Sequence, residues 1–321
     1  MEKILGLIGA ALAGLIVIAI LLTNHEVGQR DAKAPALMFA LDPAEVDTIT
    51  IEGPDYGETE LLRRGDGWVL PDRGDFPADA AKVDGMLQRL LAIREDFPTE
   101  SDPDALTRFR LADDNFERRI TLANAGETLA TLYLGSPQGP RQSHARRAGE
   151  DTAYAVAFGL FDAPVASDDW TDKDILRLGE TDITGMQVNG LHIVAAIPAD
   201  SQGHWQLEGA EPSAGLDQAA AGRLAERLAE LQVEQVLERE PGPDDGLEAP
   251  LLRLSVTLKD SRRVDYRIGR ASLTGLFTLK VSTWPEYFRL SNYVAHQLIE
   301  AARREVLLVK TEQHAAAPAA R

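Results

Sequence analysis

The stretch ITLANAGETLATLYLG at residues 120–135 decides the fold, because LSVTLKDSRRVDYRIG at residues 254–269 repeats its plan. In the first, Ile120 and Leu122, then Leu129, Leu132 and Leu134, flank the turn-rich Asn124-Ala125-Gly126-Glu127. In the second, Leu254, Val256 and Leu258, then Val264, Tyr266 and Ile268, flank Lys259-Asp260-Ser261-Arg262. Apolar residues at every second position are the signature of half-buried antiparallel strands. Each stretch is therefore expected to be a hairpin with one face on a core. Both close on an apolar residue and a glycine, Gly135 and Gly269, which are expected to supply a positive φ where the chain leaves the sheet.

Working outward, the same order of signals surrounds each hairpin. In the first half, strand-like residues 49–53 and 58–64 lead to Gly67-Trp68-Val69-Leu70, a helix at 79–93, the hairpin, and a strand at 152–158. In the second, residues 185–190 and 191–198 lead to His204-Trp205-Gln206-Leu207, a helix at 217–236, the hairpin, and a strand at 287–292. Trp68 and Trp205, Gly135 and Gly269, and Tyr154 and Tyr287 lie 137, 134 and 133 residues apart. Agreement at three separate landmarks points to an internal duplication. The expected class is α+β, with two tandem repeats of antiparallel sheet and packed helix at residues 45–178 and 179–310.

Each helix carries one apolar stripe. Val83, Leu87, Leu90 and Leu91 form it in the first, and Leu224, Leu228 and Leu231 in the second, with Asp79 and Asp217 placed as caps. Trp68 and Trp205 are expected to fill the gap between sheet and helix, since large aromatics dominate small cores of this kind.

Residues 4–22, ILGLIGAALAGLIVIAILL, are an unbroken apolar run. At about 1.5 Å per residue, such a helix spans a hydrocarbon core of roughly 30 Å. A cleaved signal peptide would have a shorter apolar region with a small-x-small site just after it, whereas Thr23, Asn24 and His25 follow here. The run is expected to be a retained, single-pass transmembrane helix. Its flanking charges are nearly balanced, so orientation rests on the long domain behind it, which translocates largely regardless of charge. The bulk of the chain is thus expected outside the cytoplasmic (inner) membrane. Gly6, Ala10 and Gly14 share one helix face, a spacing that lets two membrane helices approach closely. Residues 23–44 read as a linker, and residues 311–321 as an unpacked tail.

Hydrophobic residues make up 44% of the chain, enough to bury two cores. A net charge of -18 repels phosphate backbones, which argues against nucleic acid as a partner. The absence of cysteine excludes disulfides, thiolate metal sites and a cysteine nucleophile. None of the six histidines pairs at a helical i, i+4 spacing, and no HExxH, GxSxG, P-loop or strand-borne GxGxxG occurs. No catalytic residue, metal ligand or cofactor is expected. One basic cluster stands out in this acidic chain: PRQSHARR at 140–147, with Arg141, His144, Arg146 and Arg147. Read as a loop between strands, it is a candidate for docking an acidic partner.

GDGWVL at 65–70, ADAAKVDGMLQRLLAI at 78–93, LYLG at 132–135 and DWTDKDILRL at 169–178 carry a resemblance to a known family. With these motifs the chain resembles the domain-of-unknown-function 4340 family, over roughly residues 46–308. The second half departs from the pattern: Trp205 lacks the preceding glycine, and no second DWTDK stretch occurs near Arg303. The resemblance implies a membrane-anchored repeat protein associated with gliding-motility-type ABC transporter components, and it brings no catalytic residues. The functional expectation is a non-catalytic extracytoplasmic accessory or scaffold subunit of an ABC-2-type transporter or envelope-remodelling complex. The alternative is an envelope hydrolase or glycan-binding protein with an unrecognised site.

Overall fold

Alternating burial builds the strands. Along Leu252–Leu258 and Arg263–Arg270, Leu252, Leu254, Val256 and Leu258, then Val264, Tyr266 and Ile268, are buried, while Arg253, Thr257, Arg263, Asp265 and Arg267 are exposed. A side-chain period of two gives such strands one wet and one dry face.

The computed structural model describes residues 36–309, apart from 56, 96–97, 101–102, 196–203, 210–214 and 238–244. The expected membrane helix at 4–22 and the tail at 311–321 lie outside the described residues. Among those described, no helix is long and apolar enough to cross a membrane.

The chain begins with β1 (Thr48–Glu52), β2 (Glu58–Arg64), β3 (Gly67–Leu70), β4 (Phe76–Pro77) and helix α1 (Ala80–Leu91). Then come β5 (Pro98–Glu100), α2 (Pro103–Phe109), β6 (Leu111–Ala112), β7 (Asn115–Phe116), β8 (Arg118–Asn124), β9 (Glu127–Gly139), β10 (Gln142–Arg147) and β11 (Ala153–Val156). The later elements are β12 (Ile183–Val188), β13 (Leu191–Ala195), β14 (Trp205–Leu207), α3 (Gln218–Ala229) and β15 (Gln235–Leu237). They continue with β16 (Leu252–Leu258), β17 (Arg263–Arg270), β18 (Phe277–Val281), β19 (Tyr287–Leu290), α4 (Asn292–Ala301) and α5 (Arg304–Leu307).

The fold is α+β, with antiparallel sheets. One sheet runs β4-β3-β2-β1-β8-β9-β10-β11-β5, and the other runs β14-β13-β12-β16-β17-β18-β19-β15. Remove the edge strand β4, and the two orders are the same. Trp68 lies on β3 and Trp205 on β14, strands at matching places in these orders.

By internal contacts the residues group differently, into two compact units. One holds 86–121 and 128–163 with the described residues before Val46; the other holds 46–85, 122–127 and the residues from Pro164 onward. In the first unit a small cluster of Leu106, Leu111, Tyr133 and Ala153 packs with Phe109 and Phe116. In the second, a large core unites the inner faces of β12–β19 with Ala221, Leu224 and Leu228 of α3 and Ala295 and Leu298 of α4. Phe76 of β4 belongs to that core, its ring tilted against Trp284 at 5.5 Å and edge-to-face with Phe288 at 6.2 Å.

The helices start where the capping residues stand. Asp79 accepts from Lys82 N at 3.0 Å, and Asp217 from Ala220 N at 2.9 Å. Trp68 is buried, and its indole N–H reaches Asp84 of α1 at 2.9 Å, with the Arg63 guanidinium 4.3 Å over its ring. The Gln218 side chain of α3 clasps the backbone of Trp205 on both sides. At both tryptophans the strand is therefore tied to a helix.

Three sequence expectations need correction. The second helix stops at Ala229, not Val236: Leu178 N takes the Ala229 carbonyl at 3.0 Å, and residues 235–237 pair with β19. Residues 140–147 are not a loop, since Gln142–Arg147 is strand β10. Gly135 and Gly269 do not have positive φ. They permit close approach instead. A Cβ on Gly135 would lie 2.0 Å from the Phe109 carbonyl oxygen, and one on Gly269 2.5 Å from Gly246 C. In each sheet a crossing segment runs over the backbone at the matching strand.

Candidate functional site

Gly6, Ala10 and Gly14 lie outside the described residues. Of the basic cluster, only Arg141 is exposed. His144 is buried and stacked on Phe109 at 3.9 Å; with Nδ1–H donating to the Ser136 carbonyl at 3.0 Å, its Nε2 accepts from the Gln138 amide at 2.7 Å. Arg146 is 4% exposed and donates to the Leu111 carbonyl at 2.7 Å, the Glu150 carbonyl at 3.1 Å and Asp113 at 2.5 Å, with its guanidinium 4.4 Å over Tyr133. That hydrogen bond holds the Asp113 carboxyl below the usual carboxylate range. Arg147 pairs with Glu95 and, at 3.2 Å, with Glu150. Three of the four residues thus staple their own unit together, because a buried guanidinium requires acceptors for its N–H groups.

The structure gathers cations elsewhere, on the wet face of the second sheet. β16 and β17 turn their apolar residues toward α3, so Arg253, Arg263 and Arg267 point away from the core. Strand register sets them in a row: Arg253 stands opposite Arg267, Arg267 opposite Lys280, and Lys280 opposite Tyr287. A neighbouring row aligns Gln187, Ser255 and Asp265. These rows floor a groove of about 540 Å³, rimmed by the Asn189-Gly190 turn and Ser282.

The groove's charges are unevenly satisfied. Asp265, the lone carboxylate in the lining, accepts from Ser255 Oγ at 2.5 Å and Arg263 Nε at 3.0 Å. The Ser255 hydrogen bond and the Arg263 charge hold its carboxyl below the usual range, against the effect of burial. Lys280 donates to the carbonyls of Trp284, Pro285 and Glu286. Burial lowers its pKa, the Arg267 charge lowers it further, and Glu286 opposes both. Among the described residues, the guanidiniums of Arg253 and Arg267 have no hydrogen bond or ion pair. The sequence carried part of this signal: the outward positions of the second hairpin read Arg253, Arg263, Asp265, Arg267. Lys280 was missed because no strand was expected at Phe277–Val281, although FTLKV alternates apolar and polar residues.

A second concavity, of about 400 Å³, lies in the other unit and is lined by Arg89, Arg94, Gln138 and Gln142. Arg89 there is already paired with Asp162 at 3.2 Å. Among the described residues, no group of three His, Asp or Glu could hold a metal ion.

The stretch 164–178 works as a strap. Val165 and Ser167 bond Thr59 of β2, and Asp79 N takes the Trp170 carbonyl at 2.8 Å. Asp168 receives Arg73 at 3.1 Å and Gln235 of β15 at 2.7 Å, and Val233 N takes the Lys173 carbonyl at 3.0 Å. Trp170 of the strap is fully buried, its indole donating to the Pro164 carbonyl at 2.9 Å.

A family model described as Domain of unknown function (DUF4340) matches residues 68–250, more than half of the 321 residues. The match takes in Trp68, α1, the hairpin β8–β9, the strap and Trp205. No curated protein matches the chain, and no solved structure does.

Proposed function

The chain belongs to the Domain of unknown function (DUF4340) family, and we propose that it works by contact rather than by turnover. On this reading it is a non-catalytic accessory or scaffold subunit of an ABC-2-type transporter or envelope-remodelling complex. Residues 4–22 anchor it in the cytoplasmic (inner) membrane as a single-pass helix, and the bulk of the chain lies on the extracytoplasmic side. Its two sheets arose by duplication of one unit, at residues 45–178 and 179–310. The shared strand order, the matching tryptophans and the matching close-approach glycines support the duplication.

One observation carries the contact reading. Leu251, Leu273 and Leu276 are 55%, 89% and 36% exposed, and register puts all three at the same end of β16–β18. Exposed leucines gathered at one place mark a surface that another protein covers. The rival reading, an envelope hydrolase or glycan-binding protein, calls for paired carboxylates or an open aromatic platform. The groove lining holds the single carboxylate Asp265; Trp68, Trp170 and Trp205 are buried, and the half-buried Trp284 packs on Phe76 and Phe288.

The test is purification of the tagged full-length chain from detergent-solubilised membranes, beside a variant with Leu251, Leu273 and Leu276 changed to serine. The expected result is recovery of ABC-type permease or ATPase subunits with the wild type and their loss with the variant. Equal recovery with both, or none with the wild type, overturns the reading.

A further inference from the structure

We propose that the groove on the wet face of the second sheet binds a soluble small molecule through a phosphoryl group held between Arg253 and Arg267. Like charges directly opposite one another across strands destabilise a sheet. Arg253, Arg267 and Lys280 stand directly opposite in sequence of strands. Neither arginine has a hydrogen bond or close ion pair among the described residues: Asp265, which attracts Arg267 at longer range, is taken by Ser255 and Arg263, and Lys280 is turned toward the carbonyls of residues 284–286. Four cations thus line the groove against one carboxylate, in a chain whose net charge is -18.

The ligand class follows from the two free guanidiniums. Guanidinium groups grip phosphate by paired, charge-assisted N–H bonds. A phosphoryl dianion neutralises both, whereas a single carboxylate neutralises one. The polar rim of Gln187, Asn189 and Ser282 offers donors and acceptors to the rest of the ligand. The volume, about 540 Å³, falls in the range of small-molecule sites.

The experiment is calorimetric titration of the full-length protein in non-ionic detergent with pyrophosphate at constant ionic strength. Saturable binding is expected, and acetate at the same ionic strength should not displace it. Arg253→Gln with Arg267→Gln should weaken binding by about tenfold or more. That double variant should melt at or above the wild-type temperature, since it removes a cross-strand repulsion, so its loss of binding is separable from unfolding. Arg262→Gln, in the turn outside the groove, should bind as wild type. No saturable binding, equal competition by acetate, or an unaffected double variant overturns the proposal. So does binding to phosphatidylglycerol vesicles without binding to pyrophosphate, which would make the face a lipid-headgroup surface.

Discussion

An alanine at Gly135 would push its Cβ into the backbone carbonyls of Phe109 and Arg110, and one at Gly269 into the backbone of residues 245–246. Neither neighbour is a flexible side chain that can swing away. Gly135→Ala and Gly269→Ala are each expected to destabilise the protein by about 3 kcal/mol, read as a lowered urea midpoint; unchanged midpoints would mean that no backbone crosses there. The sequence showed where these glycines are but gave the wrong reason, because close approach depends on a segment about twenty-five residues distant in the chain. Tyr266 offers a second single-residue test. Burial raises its phenol from 10.0 to about 12. Its folded pKa is thus the higher one, so its contribution is complete below pH 10 and is lost as pH rises toward 12. Two units correspond to about 2–3 kcal/mol. Tyr266→Phe should therefore flatten the fall in stability between pH 10 and 12, and a fall as steep as the wild type's would show that the phenol is not buried.

At the scale of elements, α1 was legible because its stripe and its cap agree. Val83, Leu87, Leu90 and Leu91 are all buried, and Asp79 caps the helix as expected. Leu87→Asp places a carboxylate where the side chain is fully buried, and it should cost about 3–5 kcal/mol in a thermal or urea melt. A melt unchanged by this substitution would remove the stripe from the core. β10 was not legible, because QSHARR has no apolar alternation. Its burial depends on acceptors at Leu111 and Asp113 for Arg146 and at Ser136 for His144, which only the folded chain brings together. The end of α3 was overrun for a related reason. Leu231, Val233 and Val236 continue the apolar content of the helix, but they are buried as extended chain and strand, after Leu178 has taken the last helical carbonyl. The helix α4 escaped notice although Ser291 caps it and Ala295, Leu298 and Ala302 line its inner face. Its start falls directly behind β19, where the strand reading had already claimed the residues.

For the whole molecule, the hairpins and tryptophans were enough to foresee an α+β chain, because strand period and helix stripe are local properties. The cationic groove was not foreseen, since it exists only once register aligns residues from β16, β17 and β18. The exposed leucines were hidden likewise, as burial of their neighbours decides which ones remain outside. We propose that the chain acts by touching a transport subunit through the leucine end of its second sheet. The most direct test of this contact is a photo-activated crosslinking residue in place of Leu273, which is 89% exposed, irradiated in native membranes. The expected result is one dominant adduct whose mass and peptides identify an ABC-type permease or ATPase partner. Irradiation that yields no protein adduct, or adducts only to unrelated abundant proteins, would contradict it.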